Sequence, residues 1–284
     1  MLLVFCTILG LYLVYIYFPY YLFLPKHGLD ETRLNEVKKI PQEVKETHPV
    51  ATRSATFSIP ILMYHYVEYV KDKKDTIRQS LDTTPDVLTA QIRTLKDNYY
   101  TFLTMSEVAD IIDGKKVLPQ KPVVLTFDDG YRDFYTDVFP ILSKEKIKAV
   151  AYVVPGFFDQ TNYLLTKQVL QLAKSPYVEL GAHTMHHVYL KDVAPLFASR
   201  EIKDSKYQLE NLIHKPVVSF AYPYGAFDNS AIDLAKASHF RTAVTTISGL
   251  QVSKDNRFFL FRIRPGYKTG EALLTDLASP PFAQ

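Results

Sequence analysis

The chain has 284 residues, 47% apolar, enough for one large α/β domain or two small ones. A net charge of +3 is too small to point to nucleic acid. The single cysteine, Cys6, excludes an intrachain disulfide and a cysteine-based zinc site.

Residues 1–24 carry no charged side chain, a run that would reach about 36 Å as a helix, enough to cross a bilayer. Its bulky aromatic end, Phe18 to Leu24, is unlike a cleavage site and predicts an uncleaved transmembrane anchor over residues 1–25. Lys26, Arg33, Lys38 and Lys39 follow the run, a charge order that the positive-inside rule reads against export. Residues 26–57 are charged with mixed sign and short of aromatics, as in a stalk, so a globular domain is expected over 58–284.

Within that domain, apolar runs alternate with helical patterns. A strand is predicted over 61–67, then a helix capped by Thr84-Pro85 with Leu88, Ile92 and Leu95 on one face. Thr104 to Glu107 forms a capping box ahead of Val108 and Ile111. Strands at 122–128, 148–154, 177–182 and 217–222 each precede a helix, at 134–145, 166–173, 198–214 and 229–238. Short strands at 242–247 and 259–264 precede a last helix at 270–278. The β-then-α order implies a parallel sheet, and the chemically rich residues fall at strand ends: His65, Asp128, Asp129, His183 and Tyr224. That placement favours a closed barrel over an open sheet.

Thr126-Phe127-Asp128-Asp129-Gly130 ends the apolar run Val123-Val124-Leu125. Two adjacent carboxylates repel, and burial raises the cost. A metal ion offsets that repulsion and leaves one carboxylate as a base. His183-Thr184-Met185-His186-His187 offers imidazoles four apart (His183, His187) or three apart (His183, His186). Two imidazoles and a carboxylate suit Zn²⁺ in hydrolysis or Fe²⁺ in oxygen chemistry, and the second carboxylate favours hydrolysis. With no tryptophan in the chain, any ring stacked on a sugar is Tyr or Phe.

These segments resemble the polysaccharide deacetylases, carbohydrate esterase family 4. Residues 126–130 are similar to the family's first motif, 183–187 to its His-Ser/Thr-x-x-His motif, and Phe220-Ala221-Tyr222-Pro223-Tyr224-Gly225 to its third. The resemblance covers about 58–270 and implies a distorted (β/α)7 barrel that removes acetyl groups from a glycan with a divalent metal, here Zn²⁺. By the family's roles, Asp128 is the base, Asp129, His183 and His187 bind the metal, and the Tyr224 N–H holds the oxyanion.

Two departures stand out. Ala221 replaces an arginine that pairs with the base in many members, and Arg262 and Arg264 are the candidates to substitute for it. No histidine follows His239, whereas many members carry an acid histidine near the C-terminus; His65 at the front of the domain takes that place. This arrangement is similar to a permuted branch that includes poly-β-1,6-N-acetylglucosamine deacetylases. It implies that the first strand fills the slot of the last, with His65 as general acid opposite Asp128 across the metal. The expectation is a single-pass membrane enzyme, catalytic domain outside the cytoplasm, acting on acetylglucosamine units of a cell-surface or cell-wall polysaccharide. An esterase or small-molecule C–N hydrolase, an inactive glycan-binding module and an iron oxygenase are the rivals.

Overall fold

A computed structural model describes residues 55–278. The expected anchor over 1–25 and almost all of the stalk lie outside them, and among the described residues no helix is long and apolar enough to cross a membrane.

β1 (Phe57–Ser58) pairs antiparallel with β9 (Gln251–Val252). A curled parallel sheet runs β2-β4-β5-β6-β7-β8, built from Ile61–Tyr64, Pro122–Phe127, Ala149–Val153, Val178–Ala182, Ser219–Ala221 and Thr242–Val244. Short β3 (Thr101–Phe102) joins the start of β4. The strands are buried on both faces, which is why they read as near-continuous apolar runs. The expected strand 259–264 contributes isolated bridges instead: Leu260 to Val244 of β8 and Ile263 to Leu62 of β2. Through these bridges the stretch 260–263 touches both edges of the curled sheet, as in a distorted β/α barrel. β2 accordingly lies between β4 and the last extended segment, the position expected of a permuted first strand.

The helices follow the strands. α1 (Thr76–Leu81) escaped the sequence pattern because none of its residues is buried. α2 (Pro85–Asp97) starts at Thr84, whose Oγ1 accepts the Val87 N–H, and buries Leu88, Ile92 and Leu95. α3 (Met105–Ile112) carries the predicted capping box, with Glu107 accepting the Thr104 N–H at 2.9 Å. The helix expected over 134–145 opens as one π turn, Phe134–Val138, before α4 (Phe139–Glu145). α5 (Thr166–Lys174), α6 (Pro195–Ile213), α7 (Asn229–Ala237) and α8 (Gly270–Ala278) complete the layer.

Alternation along the strands decides what meets inside. Val123, Leu125 and Phe127 pack outward under the helices, whereas Ile61, Val124, Val150, Ala221, Val244 and Leu260 form a separate inner cluster. His65, Asp128, His183 and Arg262 share the inner parity with Ile61, Val124, Gly181 and Leu260. Period-two geometry therefore converges four polar side chains from four segments at one end of the sheet.

Candidate active site

Asp128 and Asp129 directly follow β4. Asp128 continues the inner face, while Asp129 and Gly130 take positive φ, 73° and 70°, and turn the chain. That turn separates two adjacent carboxylates that would otherwise share a strand end. Asp129 Oδ1 faces His183 Nε2 at 3.2 Å and His187 Nε2 at 3.1 Å. Ligand atoms of these three residues all lie within 4.8 Å of one another.

The histidine loop is fixed from behind. His183 donates its Nδ1 proton to the Ala221 carbonyl at 2.7 Å, which leaves Nε2 as a lone pair. The Tyr224 hydroxyl holds His187 Nδ1 at 3.2 Å. Thr184 and His187 both adopt positive φ, 60° and 54°, unusual for a β-branched residue above all. Glu201 of α6, 6% exposed, accepts the Met185 and His186 N–H groups and meets His186 Nδ1 at 2.8 Å. Glu201 went unnoticed in the sequence; its signal is an acid on the buried stripe with Ala198, Ile202, Ser205 and Leu209. Gly156 lies so close under this loop that a Cβ would strike Met185 O.

The donor set fits a divalent cation. The buried Asp129 Oδ1 has no hydrogen-bond donor of its own, and a nitrogen lone pair of His183 points at it. Burial pulls the His183 pKa down, but Asp129 and Asp128 outweigh it and raise it, the electrostatic pull that a cation would also feel. Of the two histidine spacings, the pair four apart forms the group, and His186, bound to Glu201, does not. His183→Ala and His187→Ala should each purify without the metal, whereas His186→Ala should keep it. Elemental analysis of the purified proteins checks this, and equal metal in His187→Ala and the unaltered chain would sink it.

Asp128 stands beside this trio, 3% exposed, with both oxygens held by Arg262. Oδ1 accepts from Nη1 at 2.8 Å and Oδ2 from Nη2 at 2.7 Å, a bidentate fork. Arg262 also donates to Thr245 O at 2.7 Å and Thr126 Oγ1 at 3.0 Å. Burial raises the Asp128 pKa, but the Arg262 charge and hydrogen bonds more than reverse it, so the carboxylate stays ionised. Of the two arginine candidates, Arg262 makes the pair, and Arg264 is exposed at the rim.

His65 Nε2 lies 4.0 Å from Asp128 Oδ2. The expectation of His65 across the metal from Asp128 is therefore corrected: the two are neighbours. β2 and β4 are adjacent strands in parallel register, so residues just past Tyr64 and Phe127 emerge side by side. Burial lowers the His65 pKa, with Asp128 and Asp129 opposing and Arg262 and Arg264 assisting. Tyr224 sits on the turn after β7 with φ 60°, its ring 4.6 Å from that of His187. His65, Asp128, Asp129, His183, His187, Tyr224 and Arg264 line one open cleft of about 610 Å³, and Arg262 lies behind it. One wall of the cleft is aromatic: Tyr163 lies 5.3 Å from Tyr131 and 4.8 Å from Phe157.

A model of the polysaccharide deacetylase family matches residues 115–243. The solved structure of Streptococcus pyogenes deacetylase PplD in complex with acetate is 30% identical, with a TM-score of 0.73 over 80% of this chain and 100% of that one. The chain belongs to the polysaccharide deacetylase family. It is a hydrolase. BC0361, a polysaccharide deacetylase from Bacillus cereus, is 28% identical with a TM-score of 0.65 over 78% of this chain and 69% of its own. The poly-β-1,6-N-acetyl-D-glucosamine N-deacetylase of Escherichia coli (strain K12) is 29% identical over 206 residues, 57% of this chain but 30% of that protein.

Asp133 supports the site from below. Its Oδ2 accepts the Val67 N–H at 2.6 Å, tying the exit of β2 to the loop after Gly130, while Oδ1 is buried without a partner. Burial pushes its pKa up to about 7, since the two backbone hydrogen bonds only partly compensate. A carboxyl raised in the folded state binds more protons there than when unfolded, so stability falls as pH rises from about 4 to about 7. Asp133→Asn keeps an acceptor and removes the ionisation. It should gain up to about 4 kcal/mol relative to the unaltered chain between pH 4 and pH 8, read by denaturant unfolding. A difference that does not change with pH would refute this.

Proposed function

We propose that the chain is a Zn²⁺-dependent N-deacetylase of acetylglucosamine units in a cell-surface or cell-wall polysaccharide. The observation that carries the reading is the Asp129, His183 and His187 trio with an arginine-held carboxylate beside it. The names of its relatives, including a poly-β-1,6-N-acetyl-D-glucosamine N-deacetylase, support acetylglucosamine as the substrate unit. A seven-stranded closed barrel would complete the curled sheet. The uncharged first 24 residues support an anchor over 1–25 and a stalk over 26–57, with the catalytic domain of 58–284 outside the cytoplasm.

In this mechanism Asp129, His183 and His187 hold the cation. Bound there, it supplies Lewis acidity, polarising the acetamide oxygen and making a water easier to deprotonate. Asp128 takes the proton of the attacking water; Arg262 keeps it ionised and aimed. The Tyr224 N–H donates to the oxyanion as the carbonyl becomes tetrahedral. His65 delivers a proton to the departing nitrogen. Its position 4.0 Å from Asp128 makes the proton captured on Asp128 the nearest supply for a histidine whose pKa burial lowers. The products are acetate and a free glucosamine amine. Tyr131, Phe157 and Tyr163 give the sugar an apolar wall.

The test is amine release from β-1,4 and β-1,6 acetylglucosamine oligomers, run beside acetylxylan. Amine from the former and none after chelation is the expected result. His65→Ala should retain metal and lose most amidase activity, with ester cleavage reduced less because an alkoxide leaves with less help. Acetylxylan as the only substrate cleaved would replace the amidase reading with an esterase.

A further inference from the structure

Arg264 lies two residues beyond Arg262, on the same inner parity, and its surroundings differ. Arg262 is buried and spends its donors on Asp128, Thr126 and Thr245. Arg264 lines the cleft with His65 and has no hydrogen bond or ion pair among the described residues. The acids that line this cleft are Asp128 and Asp129, and both are committed, one to Arg262 and one to the histidine pair. Arg264 is thus a fixed positive charge left over in a cleft whose negative charges are spent. Burial and the Arg262 charge lower its pKa, with Asp128 acting against them. A bound dication would make the cleft more positive still.

We infer that Arg264 receives an anionic group, a carboxylate or a phosphate, carried by the glycan beside the reacting acetamido sugar. This deepens the deacetylase reading and rests on it: Arg264 would select charged polymers over neutral ones. A guanidinium is suited to the task, because its planar fork meets both oxygens of a carboxylate or phosphate.

The matched probes are acetylglucosamine trimers, β-1,4 and β-1,6, whose reducing end is either reduced to a neutral alditol or oxidised to a carboxylate. Binding is measured by calorimetry on the full chain, and amine release on the same trimers is recorded separately. The carboxylate trimer should bind about tenfold more tightly, within the range for a charge-assisted hydrogen bond, and the advantage should shrink as salt rises. In Arg264→Ala the ratio of the two dissociation constants should fall to about one, and Arg264→Lys should keep part of it. A ratio of one in the unaltered chain overturns the inference. So does a ratio that Arg264→Ala leaves intact, or an Arg264→Ala effect confined to free acetate, which would make Arg264 a product site. A preserved, Arg264-dependent ratio with no amine released would sustain the anion site and bring down the deacetylase reading instead.

Discussion

Asp128→Asn is expected to lower amine release by about 10²–10⁴-fold or more while the protein keeps its metal. The carboxylate lies outside the Asp129, His183 and His187 group, so its loss of charge leaves the ligand set intact. An amide retains an acceptor for one arm of the Arg262 fork but cannot take a proton from water. The side chain stays in place and the chemistry stops. Metal content and turnover measured on one preparation separate the roles of the two neighbours. If Asp128→Asn lost the metal and Asp129→Asn retained it, the assignments would be reversed.

The second large effect concerns Arg262. Breaking a buried ion pair by removing one member costs about 3–5 kcal/mol, because the remaining charge is stranded. Arg262→Met removes a guanidinium buried inside one end of the curled sheet and leaves Asp128, Thr126 and the Thr245 carbonyl without their shared donor. The sign of the pH dependence follows. In the unaltered chain Arg262 holds the Asp128 pKa below the usual carboxylate value, so the pair contributes stability above that value and loses it as pH falls through the lowered one. Without Arg262, burial dominates and the Asp128 pKa rises. The destabilisation should be largest at neutral pH and diminish in acid, and the acidic limb of any residual activity should move to higher pH. Unfolding free energies at pH 7 and about pH 4 decide it; an equal loss at both would show that packing, not charge, is what Arg262 provides. Arg262→Lys should recover only part, because an ammonium cannot span both carboxylate oxygens.

Much of this architecture is legible in the sequence, and the reason is burial. Strands covered on both faces announce themselves as apolar runs, and β4, β5 and β6 fall within one or two residues of their expected limits. The Asp128-Asp129-Gly130 and His183-to-His187 segments are local, so their chemistry can be read without knowing the fold. What depends on partners distant in the chain was harder to see. Nothing in Phe261-Arg262-Ile263-Arg264 says which arginine enters the barrel; the register of residue 263 against β2 decides that. The placing of His65 beside Asp128 is likewise a product of the β2–β4 register. Glu201 lies on a helix that looked merely amphipathic. The segment 259–264 reads as a strand because it is apolar and β-prone, yet it makes only single bridges to its neighbours.

The closure by residues 260–263 also sets an order of events in the life of the chain. Asp128 and its arginine are 134 positions apart, and Gln91 reaches 175 positions to the Gly266 carbonyl. A polypeptide emerging from its N-terminal end has made its strands, its base and its histidine loop before Arg262 exists. Until then Asp128 lacks its arginine partner, and the segment that bridges β2 and β8 is missing. Contacts this remote are slow to form, so closure of the site waits on the segment that carries Arg262. Arg262 reaches Asp128 only when residues 260–263 close between β2 and β8, so the paired base is among the last features of the site to form.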